Sequence, residues 1–200
     1  LFLRRPEETR WEGEGFVNSF IQANYPFWLH AFLETRGIGE TAWGRDLDWH
    51  VRRALPLLGQ TIASMRVYDV LRALSALRTL PGVAADQITL AGTGEMAVIA
   101  LYAALLDGKV PSVVLHNPPA TQDSPGEPDG TGPALEMPNV LRITDAPQVA
   151  GLLFPAQLIF VGTVPQTYAW AEQLYDRLGA AECVSKVNRL SEWQCQKGEQ

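Results

Sequence analysis

Between Ile88 and Gly108 the chain reads ITLAGTGEMAVIALYAALLDG, and no other stretch restricts the fold as tightly. Ile88 to Gly92 is an apolar run of strand length that ends in a glycine turn, and the helix Glu95 to Leu106 follows at once. The same alternation continues to the C-terminus. Strand Ser112 to His116, strand Asn139 to Ile143, a short helix near Pro147 to Leu153, strand Gln157 to Gly162, helix Thr167 to Leu178 and a last strand within Cys183 to Leu190 are expected in that order. Strands that alternate with helices and lack polar alternation belong to a parallel sheet covered on both faces. The expected fold class is therefore α/β, with a doubly wound, mostly parallel sheet in a three-layer sandwich.

Upstream, Phe27 to Gly37 has the apolar weight of a buried strand. From Asp46 to Leu80 apolar residues recur at spacings of three and four, with Met65, Val70, Leu74 and Leu77 on one stripe. Pro56 or Gly59 marks a break, so two helices or one kinked helix fit. The first 25 residues read as a short helix stopped by Pro26, and the loop from Asn117 to Pro138 is long enough to be an excursion or the rim of a site.

Two hundred residues with 46% apolar side chains suit one domain, residues 1–200, with 1–26 as an N-terminal extension or interface segment and 194–200 as a loose tail. The chain opens on Leu1 rather than Met, as a processed or excised piece would. A net charge of -6 with scattered bases argues against nucleic acid as a partner. No apolar run reaches the roughly 20 residues of a membrane span, so a soluble domain is expected. Cys183 and Cys195 are too few and too far from His for a zinc site; a disulfide and two free thiols both remain open, and so does the compartment. No metal or cofactor is expected.

Two folds place a glycine turn between strand and helix. In the first, Gly92-Thr93-Gly94-Glu95-Met96-Ala97 fits the dinucleotide fingerprint G-x-G-x-x-A. That reading lacks its ribose-binding acid, because the next strand ends in His116 and Asn117, and Glu95 would set a carboxylate where a pyrophosphate should sit. It stays as a minor alternative. In the second, the turn is a nucleophile elbow, which projects its central side chain above the sheet. That centre falls at Gly94.

Here the chain resembles the α/β-hydrolase superfamily, and more closely its bacterial acetylxylan-esterase and prolyl-oligopeptidase-like members. The resemblance runs from Glu34 to Gly179 through ETRGIGET, RVYDVLRALSALRTLPGVAADQITLAG and LRITDAPQVAGLLFPAQLIFVG. It implies ester hydrolysis on acetylated polysaccharide, an exported ancestry, and a triad in chain order Ser, Asp or Glu, His. It also implies opening strands that either residues 1–25 replace or the chain lacks.

The residues depart from that triad at each position. Gly94 stands where the serine should be, TVPQT after QLIFVG holds no carboxylate, and SKVNRLSEWQCQKGEQ holds no histidine. Thr93, Glu95 and His116 are the remaining weak catalytic candidates; Ser64, Ser75 and Ser112 are the other hydroxyls nearest in sequence, and Asp145 the other nearby carboxylate. His30 and His50 fall on a strand and a helix away from the turn. Arg36, Gly37 and Glu40 join Thr93, Gly94, Glu95 and His116 as candidate cleft or binding residues. Trp11, Phe16, Phe20, Tyr25, Phe27 and Trp28 are dense enough to pack against a partner or to line a sugar surface. The sequence thus points to a catalytically inactive hydrolase-like protein with a binding or structural role, its partner a protein, the remainder of a longer chain, or a carbohydrate. An active carbohydrate acetyl esterase with non-standard catalytic residues is the alternative.

Overall fold

The structure, a computed structural model, describes residues 1–3, 29–123 and 132–193. Six strands form one sheet: β1 (Phe2–Leu3), β2 (Phe32–Leu33), β3 (Thr89–Thr93), β4 (Ser112–His116), β5 (Gln157–Val161) and β6 (Val184–Val187). Their order is β2-β1-β3-β4-β5-β6, and every described pairing is parallel. Among the described residues five α-helices flank the sheet: α1 (Arg45–Ala54), α2 (Ile62–Leu77), α3 (Glu95–Asp107), α4 (Ala146–Leu152) and α5 (Ala169–Arg177).

The helices follow from local chemistry. Thr61 and Ser64 exchange side-chain to backbone hydrogen bonds of 3.1 and 3.0 Å, a capping box that starts α2. Asp145 caps α4 by accepting from Ala146 N at 2.6 Å, with Pro147 in the first turn. Between α1 and α2 the chain makes a 3-10 turn over Leu55–Leu58, and Gly59 takes φ 71°, so the break expected at Pro56 or Gly59 uses both residues. α3 is apolar on all sides, and Met96 to Ala104 are buried along its whole circumference. A helix of that kind must be central. It packs against the sheet and against α2 and α4.

Both faces of the sheet are apolar. Leu90, Val113, Leu115, Leu158 and Phe160 belong to the larger core with α2 to α5, whereas Phe2, Ala91, Val114, Ile159 and Val161 face Leu190 and Trp193. The connections change direction at β1: β2 lies on one side of it and β3 on the other. That reversal is the mark of a doubly wound sheet, and ligands of such sheets bind beyond the carboxyl ends of the strands at the reversal.

Several expectations change. Asn139 to Ile143 is not a strand; Asn139 takes φ 65° and Val140–Arg142 a 3-10 turn, with Ile143 86% exposed. No slot exists for a strand there, because β4 pairs with β5 directly. The sixth strand is instead Phe2–Leu3, which the sequence reading places in an N-terminal extension, and Leu1 N donates to Thr89 O at 2.6 Å beside it. Of the strand expected over Phe27 to Gly37, residues 27 and 28 lie outside the described residues, and among 29–37 only Phe32–Leu33 pair as a strand. The buried stripe of α2 is Ile62, Arg66, Val70 and Leu74 with Ala63 and Val67, while Met65 and Leu77 are half-buried. The helix expected within residues 1–25, the tail 194–200 and the aromatic cluster from Trp11 to Trp28 lie outside the described residues. Cys183 is free of any disulfide, and Cys195 lies outside the described residues.

Candidate functional site

Register brings the site together. Thr93 pairs with His116, His116 with Val161 and Val161 with Val187, so four strands end level at one edge. Gly94 follows at that edge with φ 56° and ψ -125°. This is backbone that side-chain-bearing residues adopt only at a cost, and it is where an elbow holds its nucleophile. Gly94 N donates to His116 O at 2.9 Å and Ala97 N to Gly94 O at 3.0 Å, which fix the turn from both sides. Among the described residues, a Cβ built on Gly94 meets nothing within 4 Å. The centre of the elbow is thus an open position with no side chain.

Gly92 has the opposite surroundings. A Cβ there would lie 2.3 Å from Met96 O and 2.8 Å from Ala97 N, so β3 and the start of α3 approach closely only because that residue is glycine. The pattern read as G-x-G therefore serves helix packing at Gly92 and turn geometry at Gly94.

Around the open position lies a row of polar groups. Thr93 Oγ1 sits 3.3 Å from His116 Nδ1, and His116 Nε2 sits 3.1 Å from Asn117 Nδ2. Asn117 Oδ1 accepts from Thr163 N at 2.8 Å. Beyond β5 the chain continues with Gly162 and Thr163, and beyond β6 Asn188 N donates to Glu192 Oε2 at 3.1 Å.

Glu95, next to Gly94, turns away from this row. Its carboxylate accepts from Arg66 Nη1 at 2.9 Å and from Ala134 N at 3.0 Å. Burial raises the Glu95 carboxyl above its ordinary range, with Arg66 and the Ala134 N–H pulling against that rise. Arg66 is only 3% exposed, and its Nε also reaches Arg36 O at 3.4 Å. Arg52 of α1 donates to Gly132 O at 3.1 Å and Pro133 O at 3.2 Å, and pairs with Glu136. Glu95 is thus a structural counter-ion that fastens the segment 132–136 beside the elbow.

The other predicted residues separate from this group. Arg36 pairs bidentately with Asp69 of α2, its Nε 2.8 Å from Oδ2, and reaches the elbow only through its own carbonyl and Arg66. Gly37 packs on the Trp43 ring, and Glu40 is exposed, its N–H bonded to Glu34 Oε2 at 3.1 Å. The reason is topological: β2, which leads into this turn, is separated from β3 by β1. Ser64 is spent in the α2 cap, Ser75 is exposed, and Ser112 bonds Thr89 Oγ1 at 2.6 Å. Ser112 opens β4, about 13 Å along the strand from His116. His30 stacks on Phe2, and His50 meets Trp49 edge-on. Asp145 serves α4 and also accepts from Gln122 N at 2.7 Å and from the Thr121 hydroxyl.

Arg66 and Asp69 are the residues that sequence reasoning missed. The signal for Arg66 was present: it stands four residues before Val70 and eight before Leu74, on the inward stripe, where a guanidinium needs a buried carboxylate. Among the described residues no group of three His, Cys, Asp or Glu side chains gathers as a metal site would require. No described helix is long and apolar enough to cross a membrane.

A doubly wound parallel sheet whose elbow lies at the carboxyl edge beside the strand reversal defines an α/β-hydrolase-type fold. Solved structures agree. A candidate acetyl xylan esterase from Bacteroides fragilis superposes with a TM-score of 0.64 at 16% identity, over 82% of this chain and 47% of that one. An acylaminoacyl peptidase from Pyrococcus horikoshii gives 0.51 at 15% identity, over 78% of this chain and 26% of that one. The chain spans just under half the length of the former, and at these identities the likeness is one of fold. No protein-family model and no curated protein sequence matches the chain.

Proposed function

We propose that this chain is a catalytically silent α/β-hydrolase-type domain kept for binding or assembly. The observation that carries the reading is Gly94: the turn keeps a backbone that would strain any other residue, φ 56° and ψ -125°, around a position with no side chain and with open space above it among the described residues. Acyl transfer begins with attack by an activated nucleophile, and at this point only hydrogen is offered. Glycine holds such a backbone without strain, so loss of the nucleophile relaxes the turn and leaves the fold intact.

An active carbohydrate acetyl esterase is the second reading, favoured by one contact. Thr93 Oγ1 and His116 Nδ1 are 3.3 Å apart, close to the distance between a hydroxyl nucleophile and its base. One experiment separates the two. The purified chain is treated with a fluorophosphonate probe and assayed on p-nitrophenyl acetate and acetylated xylan. No labelling and no turnover above buffer are expected. Turnover that His116→Ala or Thr93→Val abolishes would overturn the silent reading. For the assembly role, size-exclusion chromatography of the chain from its source is expected to show a bound protein, and a monodisperse monomer counts against it.

A further inference from the structure

We infer that Asn117 fixes the tautomer of His116, leaving Nε2 unprotonated as an acceptor and Nδ1 protonated, so that Thr93, His116, Asn117 and Thr163 form a hydrogen-bonded brace across the ends of β3, β4 and β5. Asn117 is a positioning residue in this arrangement, and the hydroxyl beside His116 is not primed for attack.

The direction of each bond follows from one group whose role is unambiguous. Thr163 N is a backbone donor, and it lies 2.8 Å from Asn117 Oδ1. The oxygen of the amide must face it, so the NH2 faces His116. That NH2 can only donate, and it is 3.1 Å from Nε2, which must therefore offer a lone pair. In the neutral ring the proton then resides on Nδ1, 3.3 Å from Thr93 Oγ1. Turning the ring over does not help, because both nitrogen contacts would become carbon contacts.

The backbone is shaped around this brace. Asn117 takes φ 45°, a left-handed conformation that Asn tolerates better than most residues. A Cβ on Gly162 would lie 2.5 Å from Asn117 Oδ1, so glycine there makes room for the amide. Two departures from ordinary strand-end geometry thus serve one side chain.

The chemical consequence concerns the hydroxyl–imidazole pair of Thr93 and His116 at the crevice. A general base must receive a proton from the hydroxyl, whereas here Nδ1–H donates to Thr93 and the oxygen accepts. A serine restored at position 94 would likewise find the Nε2 lone pair of His116 already engaged by Asn117. The inference rests on side-chain geometry and not on the vacancy at Gly94. Hydrolysis by the unsubstituted chain sinks the silent reading, whereas only the ring tautomer sinks this inference.

The test reads the ring nitrogens directly. Long-range proton–nitrogen correlation spectra of the 15N-labelled full chain at about pH 8, where an ordinary imidazole is neutral, report the tautomer of each histidine, and loss of a pattern in His116→Gln assigns His116. The expected pattern is the Nδ1–H form. Asn117→Asp then places a carboxylate oxygen, an acceptor only, opposite Nε2, and the pattern is expected to reverse to Nε2–H. An Nε2–H form in the unsubstituted chain overturns the inference, and so does a folded Asn117→Asp variant with an unchanged tautomer. Should Asn117→Asp not fold, the spectrum of the unsubstituted chain decides alone.

Discussion

Gly92 and Gly94 stand two residues apart and lack side chains for opposite reasons. At Gly92 a methyl group would meet backbone atoms of Met96 and Ala97, which cannot rotate away as a side chain would. Gly92→Ala is therefore expected to lower stability by about 3 kcal/mol, the upper part of the range for overpacked cores. Gly94→Ser meets open space and bears only backbone strain, about 1–3 kcal/mol. Urea denaturation of the two variants checks the pair, together with the packing of α3 on β3. A well-folded Gly92→Ala beside an unfolded Gly94→Ser would contradict both environments. Both glycines were legible as turn residues in the sequence, and the placement of Gly94 at the elbow's centre follows from the strand before it and the helix after it. Which glycine was needed for close approach was not legible, since that depends on where α3 lies against β3.

Among the elements, α2 does the most to tie the elbow to its surroundings. Its inward stripe of Ile62, Val70 and Leu74 also carries Arg66, which reaches Glu95 at the start of α3 and Arg36 O in the turn after β2. Buried pairs of this kind add little net stability, yet breaking one strands a charge. Glu95→Ala is expected to cost about 3–5 kcal/mol, each kcal/mol lowering Tm by about 2–4 °C in a chain of this size. The double variant Arg66→Met with Glu95→Gln is expected to recover most of that loss, because no charge remains and an acceptor for Ala134 N survives. Calorimetry or thermal circular dichroism provides the measurement; a Glu95→Ala variant within about 1 kcal/mol of the parent would remove the clamp from the account. Glu95 was legible as a carboxylate at the start of α3, where it also complements the helix dipole. What the sequence did not disclose is the partner. Arg66 lies 29 residues earlier, and only the packing of α2 on α3 joins them.

Across the whole molecule, stability toward acid depends on carboxylates held by arginines between elements. Arg78 at the end of α2 grips both oxygens of Asp107 at the end of α3, at 2.6 and 2.7 Å. Those hydrogen bonds depress the Asp107 carboxyl below its usual range, against the opposing effect of burial. For Asp69 burial alone would raise the pKa, and the Arg36 hydrogen bonds outweigh it. A folded-state pKa below the unfolded value means that the unfolded chain binds protons more readily as pH falls. The stabilisation is present above the ordinary carboxylate range, about pH 4, and is lost as pH drops through the depressed values. Urea midpoints at about pH 7 and pH 3 are therefore expected to differ less in Arg78→Ala than in the parent, and equal differences would refute this assignment. By itself the sequence determined the α/β alternation, the bounds of β4, the glycine turn at Gly94 and the apolar α3, because each rests on contacts within one strand, turn or helix. Tertiary structure decided that Phe2–Leu3 is a strand, that Asn139 to Ile143 is not one, that Glu95 meets Arg66, and that Asn117 faces His116. Those outcomes depend on which distant segment offers an unpaired edge, a counter-charge or a donor, and such partners are chosen by the folded chain in space.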